Sequence, residues 1–402
     1  MTTTSPRPAP ASPADPPVVA PVVSGGPLDG RPVGRSILPS AAYTGQAEFD
    51  NERELVFAAG WAWAGFTHWI AQPGDVRPVT VAGRPLVLVR GRDGAVNVFH
   101  NACRHRGMKL VDAPLTGQRV LRCDYHCWAY RLSGELQATP LYDRTGASGQ
   151  PAAPADDERA QLSLLPVPSA TWAGQVFVSL AAQPPPFSTF IEPLTRQWAG
   201  VDFSRLHLAG ERRYDIGGNW KLAVENFLDF YHLPFVHPQI GPASVTLDVD
   251  DRPLTRDVIG GCYPRGASAK ADKSDTRLPL LGDIGETFGG RQDLYCVFPN
   301  VLVFLEAGWF QVIGVEPVAP DRTIEHMAVY VDRDAGGAAF EGSRKLLCDS
   351  LFEINDQDLP ILRKLQEGRH SPATDRNFLL PQWDQVTAHF QQRVLDALTG
   401  DA

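Results

Sequence analysis

The 402 residues predict an α+β protein in which an all-β block precedes a mixed one. From Phe66 to Leu180, short β-branched and aromatic runs alternate with Gly, Pro, Asp and Asn turns, as in Arg90-Gly-Arg-Asp-Gly94 and Arg131-Leu-Ser-Gly-Glu135. Ala181-Ala-Gln-Pro-Pro-Pro186 then reads as a stiff connector. Beyond it, strand-like runs mix with longer helical ones, and no internal repeat interrupts them.

Taken in order, residues 1–38 are rich in Pro, Ala and Thr and predict a disordered tail. They lack the charged start and apolar run of a secretory signal. Gln46 to Trp63 has helical spacing at Phe49, Leu55, Val56 and Phe57, so 39–62 is expected to be a lead-in segment packed on the second block. Residues 63–182 make the β block, with Leu86–Val89 and Gln175–Val178 as strands, and 183–402 the mixed block. Leu294 to Val315 is apolar enough to resemble a membrane span, but Pro299, Asn300, Glu306 and Gln311 interrupt it. Two strands turning at Glu306-Ala307-Gly308 fit it better. Pro360 suits the first turn of a new helix and Gly368 its end.

Composition excludes several classes. With 43% apolar and 21% charged residues the chain has ordinary soluble, globular usage. A net charge of −9 without a long Lys/Arg run argues against a general nucleic-acid binder. No membrane partner is expected. Six scattered cysteines do not make a secreted disulfide framework, which points to a reducing cytoplasm.

Two of those cysteines carry chemistry. Cys103-Arg-His105 and Cys123-Asp-Tyr-His126 are matched short loops, each offering one thiolate and one imidazole. One tetrahedral zinc could take all four, but a zinc finger usually pairs like with like. A Rieske [2Fe–2S] centre has two thiolates on one iron and two imidazoles on the other, which suits loops that each supply one of both.

A second metal-type cluster follows in the mixed block. On a helix Asp229 and His232 would share a face, and Pro234 would end or kink that helix, letting His237 swing back. Two imidazoles and a carboxylate with open positions form the facial triad of non-haem Fe(II) oxygenases. By spacing alone Glu353, Asp356 and Asp358 are nearly equal candidates for the carboxylate.

Over most of residues 40–375 the chain resembles the α component of the Rieske non-haem iron aromatic-ring-hydroxylating oxygenases. The family's C-x-H…C-x-x-H falls on Cys103, His105, Cys123 and His126. Its N-W-K…E-N-x-x-D-x-Y-H-x4-H falls on Asn219, Trp220, Lys221, Glu225, Asn226, Asp229, Tyr231, His232 and His237. The resemblance implies an all-β Rieske domain and an α+β helix-grip (START-like) catalytic domain with an antiparallel sheet. It also implies one [2Fe–2S] cluster, one mononuclear Fe(II) held by His232 and His237, and O2 as cosubstrate. Asn226 and Asp229 become catalytic candidates, Asp229 linking an iron histidine to a cluster histidine of a neighbouring subunit in a homotrimer or a multiple of it. The ending Gln366-Glu-Gly368-Arg-His-Ser371-Pro372 is similar to that of members oxidising quaternary amines. That register selects Asp358 as third ligand with Asp356 as the fallback, and puts Gln357 where Glu is usual. Cys127 stands where most members have glycine.

The chain has no G-x-G-x-x-G after a strand and no second cysteine set, so a separate NAD(P)H-dependent reductase must supply electrons, with or without a ferredoxin. Arg104, Arg106, Lys109, Arg122 and Arg131 around the cluster loops are candidates for docking it. Phe298, Phe304 and Trp309 lie on strands that line the pocket in this family and would suit a cationic amine. The expected reaction is C–H hydroxylation or oxidative N-demethylation of a small amine. Cis-dihydroxylation or monohydroxylation of an aromatic compound competes with it, and a Rieske electron-transfer protein without oxygenase activity is the reading of another class.

Overall fold

The computed structural model describes residues 34–142, 154–240, 253–264, 278–282 and 291–400. Most of the expected tail lies outside them. Its last residues are ordered: Ser36 N–H donates to the Asn377 carbonyl at 2.9 Å, and Leu38 is buried.

The β block contains three small antiparallel sheets. β1 (Trp61–Phe66), β9 (Gln175–Ser179) and β8 (Ser169–Trp172) form one, in the order β1-β9-β8. β2 (Val76–Val81), β3 (Arg84–Arg90) and β4 (Val96–His100) form the second, and β5 (Val120–Arg122), β6 (Ala129–Arg131) and β7 (Leu136–Ala138) the third. The mixed block is built on a six-stranded antiparallel sheet ordered β10-β15-β14-β13-β12-β11. Its strands are β10 (Leu206–Ile216), β11 (Val258–Pro264), β12 (Arg291–Val297), β13 (Val301–Glu306), β14 (Trp309–Ala319) and β15 (Arg322–Asp332).

This sheet is covered on both faces, which explains why its strands read as almost unbroken apolar runs. Side chains alternate along each strand. Leu294, Cys296, Leu302, Ile313, Met327 and Val329 face a core shared with Trp220, Leu362 and Phe390. Tyr295, Val297, Val303, Phe310, Val312 and Tyr330 face Trp63, Phe66, Phe177 and Trp198. Helices Trp220–Leu228, Glu341–Arg369 and Gln385–Thr399 therefore lie on the first face, while β1, β9 and helix Phe187–Gln197 lie on the other.

Four local expectations are corrected. The lead-in helix ends at Phe57 rather than Trp63, its last turn π-helical, because Ala58-Ala59-Gly60 breaks it and Trp61 and Trp63 pair with Ser179 and Phe177 in β1. Leu294–Val315 holds parts of three strands: besides the expected turn after Glu306, Pro299-Asn300 turns the chain between β12 and β13. Pro360 does not start a helix but sits inside the 29-residue helix Glu341–Arg369, whose packing tolerates the missing N–H. Finally, helix Trp220–Leu228 stops before Asp229, which is extended (ψ 122°), so Asp229 and His232 are not on one helical face. Among the described residues no helix is long and apolar enough to cross a membrane.

Candidate active site and cluster site

Helix Trp220–Leu228 is anchored before it presents anything. Asn219 caps it, its side chain accepting from Lys221 N–H at 3.0 Å, while its own N–H donates to Gln366 Oε1 at 2.8 Å. Lys221 is fully buried and pairs with equally buried Glu52, whose other oxygen accepts from Trp220 Nε1 at 2.7 Å. Burial works to lower the Lys221 pKa against the pull of Glu52. On the next turn Glu225 accepts from the Tyr43 hydroxyl at 2.5 Å and Gln391 at 3.0 Å, with Arg369 3.7 Å away. Lys221 and Glu225 of the quoted motif are thus structural here. Glu52 was missed in the sequence, where one acidic residue on a lead-in helix looks like any solvated charge.

Past the helix end the chain turns sharply. Asp229 accepts from Tyr231 N–H at 2.7 Å and meets His232 Nδ1 at 3.1 Å. The short helical turn Leu233–Val236, with Pro234 in its first turn, returns His237 so that its Nε2 lies 3.2 Å from His232 Nε2. Asp358 Oδ1, from the helix Glu341–Arg369, lies 3.2 Å from His237 Nε2 and 3.6 Å from His232 Nε2. The three ligand-type atoms all fall within 4.8 Å of one another. Asp356 points elsewhere and pairs with Arg212 at 2.8 Å, and Glu353 is exposed. Asn226 is half-buried in the last turn, its carbonyl accepting from Asp229 N–H.

The donor set fits a metal ion. Asp358 Oδ1 is buried without a hydrogen-bond partner, a costly state for a carboxylate unless a cation sits before it. Two imidazole Nε2 atoms facing each other at 3.2 Å also want a cation between them. Burial works to lower the His237 pKa, but Asp358 and Gln357 outweigh it and raise it.

In the β block the two cluster loops have the same backbone design. Cys103 N–H donates to the Met108 carbonyl and Cys123 N–H to the Trp128 carbonyl, both at 2.8 Å. Gly107 N–H returns to the Cys103 carbonyl and Cys127 N–H to the Cys123 carbonyl, both at 2.9 Å. Each closing residue is left-handed, Gly107 at φ +73° and Cys127 at φ +58°. Cys127 therefore occupies a position that favours glycine, and its side chain is exposed. Cys103 and Cys123 are buried at the base, and the His105 and His126 rings lie 4.5 Å apart toward the surface. That layering suits thiolates on an inner iron and imidazoles on an outer one, and His126 Nδ1 is buried without a partner. Trp128 stacks on His105 at 4.8 Å, and the Tyr130 hydroxyl lies 3.2 Å from Cys103 Sγ. Burial pushes the Cys103 thiol up, with the Tyr130 hydrogen bond opposing it.

The expected pocket aromatics are dispersed. Phe304 and Trp309 stack at 4.8 Å and are half-buried, whereas Phe298 packs between Phe390 and Arg393. A cleft of about 310 Å³, lined by Trp69, Arg77, Glu316 and His326 among others, lies apart from His232, His237 and Asp358.

Comparison with known proteins adds three relatives. Residues 60–152 match the family described as Rieske [2Fe-2S] domain, and 203–400 match Ring hydroxylating alpha subunit (catalytic domain). The carnitine monooxygenase oxygenase subunit of Escherichia coli (strain K12) is 32% identical over 341 residues, covering 83% of this chain and 84% of that protein. The glycine betaine monooxygenase oxygenase subunit of Pseudomonas aeruginosa (strain UCBPP-PA14) is 26% identical, covering 84% and 83%. Among solved structures, the quaternary ammonium Rieske monooxygenase CntA in complex with inhibitor MMV12 superposes with a TM-score of 0.73 at 21% identity, covering 92% of this chain and 96% of that one. At that identity the likeness is one of fold.

Proposed function

This chain belongs to the Rieske non-haem iron oxygenases and is the oxygenase component of a multicomponent system; we propose that its substrate is a small amine, which undergoes C–H hydroxylation or oxidative N-demethylation. The observation that carries the oxygenase reading is the convergence of His232 Nε2, His237 Nε2 and the buried Asp358 Oδ1. A protein that only carried electrons would have no use for it. The amine is favoured by the relatives that oxidise carnitine and glycine betaine, and by the Gln366 to Pro372 ending.

Cys103, His105, Cys123 and His126 hold the cluster, and His232, His237 and Asp358 hold the mononuclear iron. Together the bound groups supply single electrons and an O2-activating iron with open positions. The protein's own part is orientation. Asp229 fixes the His232 ring by accepting from Nδ1 and leaves its outer edge toward solvent, where a cluster histidine of a neighbouring subunit can reach it. Exposed Tyr231 and Phe235 beside Asp229, and exposed Met108 and Tyr125 at the cluster loops, support such contact in a homotrimer. The setting is a reducing cytoplasm, in keeping with six free cysteines.

An NAD(P)H-dependent reductase docks on the basic rim of the cluster loops. Arg131 and Lys109 are already paired with Glu135 and Asp112, and the Arg106 guanidinium lies against Tyr125, which leaves Arg104 and Arg122 as the stronger contributors. Neutralising both raises the apparent KM for the reductase at low salt; an unchanged KM removes this docking site.

The substrate test is a screen of small quaternary and tertiary amines with a surrogate reductase. NADH consumption coupled to formaldehyde release supports demethylation. Hydroxylated amine without formaldehyde supports C–H hydroxylation, and diol or phenol from an aromatic acid with no turnover of amines overturns the amine assignment.

A further inference from the structure

The two imidazoles of the metal site are held by chemically different groups. His232 Nδ1 meets a carboxylate, Asp229, at 3.1 Å. His237 Nδ1 meets a carboxamide, Gln357 Oε1, at 2.8 Å, from the residue directly before Asp358 on the same helix. Adjacent residues of one helix thus claim both nitrogen edges of a single, fully buried ring. Since His237 Nε2 faces Asp358 and His232, the ring proton belongs on Nδ1, and the amide must present its oxygen there. Gln239 fixes that orientation: its Nε2 donates to the same Gln357 oxygen at 3.1 Å, and Gln357 Nε2 donates back to Gln239 Oε1 at 3.3 Å.

We propose that Gln357, locked by Gln239, is a positioning residue that holds the His237 ring with Nε2 toward Asp358 and His232 and, being uncharged, sets the charge balance of the mononuclear iron. This rests on the assignment of His232, His237 and Asp358 as its ligands. A divalent ion held beside Asp358, with Asp229 on the far edge of the His232 ring, would be balanced by two negative charges, and Gln357 adds none. A glutamate at 357 would add a third, drawing the Nδ1 proton toward itself and making His237 a stronger donor. Gln357 therefore favours the ferrous over the ferric state relative to a carboxylate at this position.

The test compares the iron-loaded full-length protein with Gln357→Glu, Gln357→Leu and Gln239→Ala. Retention of iron against a ferrous chelator, the EPR spectrum of the nitric oxide adduct and the midpoint potential of each centre are read separately. Gln357→Leu frees the ring and weakens iron retention by about 10–100-fold. Gln357→Glu retains iron at least as well as the parent, lowers the potential of the mononuclear iron and leaves that of the cluster unchanged. Gln239→Ala falls between the parent and Gln357→Leu. If Leu and Glu at 357 retain iron equally, or Gln357→Glu leaves the mononuclear potential where it was, the proposal is wrong. Absence of a third iron in the parent protein would instead overturn the ligand assignment beneath it.

Discussion

Glu325 lies on β15, 4% exposed, with Asn355 Nδ2 donating to its Oε2 at 3.0 Å from the helix that carries Asp358. Burial pushes its carboxyl up to about 7, and the nearby Asp358 charge adds to that. The folded protein thus keeps a proton that the unfolded chain gives up at the ordinary glutamate value. Stability is fullest below that value and declines as pH rises toward about 7, by about 3 kcal/mol at most. Glu325→Gln should remove this dependence. Urea midpoints of iron-depleted protein at pH 5 and pH 8 should lie closer together in the variant than in the parent. Cys127 gives a second prediction at this scale. Its left-handed backbone costs an L-residue about 1 kcal/mol, so Cys127→Gly should stabilise the cluster loops by about that much in denaturant monitored by cluster absorbance. Cys127→Ala should not, because alanine keeps the Cβ. The sequence singled out Cys127 as a departure from glycine, yet its physical meaning needed the backbone angle, and exposure of the thiol argues against its competing as a ligand.

Among elements, the junction between the lead-in helix and helix Trp220–Leu228 is the most sensitive. Lys221 and Glu52 are both fully buried, so removing one leaves an uncompensated charge. Lys221→Met or Glu52→Gln should cost about 3–5 kcal/mol by chemical denaturation, while Glu52→Leu with Lys221→Met should recover much of it. The cluster loops make a parallel prediction. Tyr130→Phe removes the hydroxyl 3.2 Å from Cys103 Sγ, and losing a hydrogen bond to a cluster sulfur should lower the cluster potential without changing its iron content. Element type was legible wherever apolar periodicity was clear, as along β13 and β14. It was not legible at Pro360, where packing against β10 and helix Trp220–Leu228 carries the helix through a residue that usually starts or breaks one. Nor could periodicity reveal that helix Trp220–Leu228 stops one residue before Asp229, since the pattern of Leu228, Asp229 and His232 also suits a helix.

At the scale of the whole molecule, the two metal-type sites were legible because ligand chemistry restricts both residue type and spacing. Choosing among Glu353, Asp356 and Asp358 was not possible from spacing, because it depends on which face of a long helix meets the turn at His237. The structure places Asp356 on Arg212 and Asp358 beside both histidines. The substrate surface was least legible, since aromatic residues on a sheet covered on both faces serve as core in either direction, as Phe310 does, while Phe298, expected on a strand, lies in the turn after β12 and packs as core. The account as a whole stands on one chain holding two separate iron sites of which the second performs the oxidation. Iron and acid-labile sulfide counted in the purified parent and in His232→Ala test this most directly. The account predicts about three irons and two sulfides per parent chain. It predicts about two of each in the variant, with the cluster absorption intact and O2-dependent turnover lost. Two irons and two sulfides in both proteins, with turnover unaffected by the substitution, would contradict it.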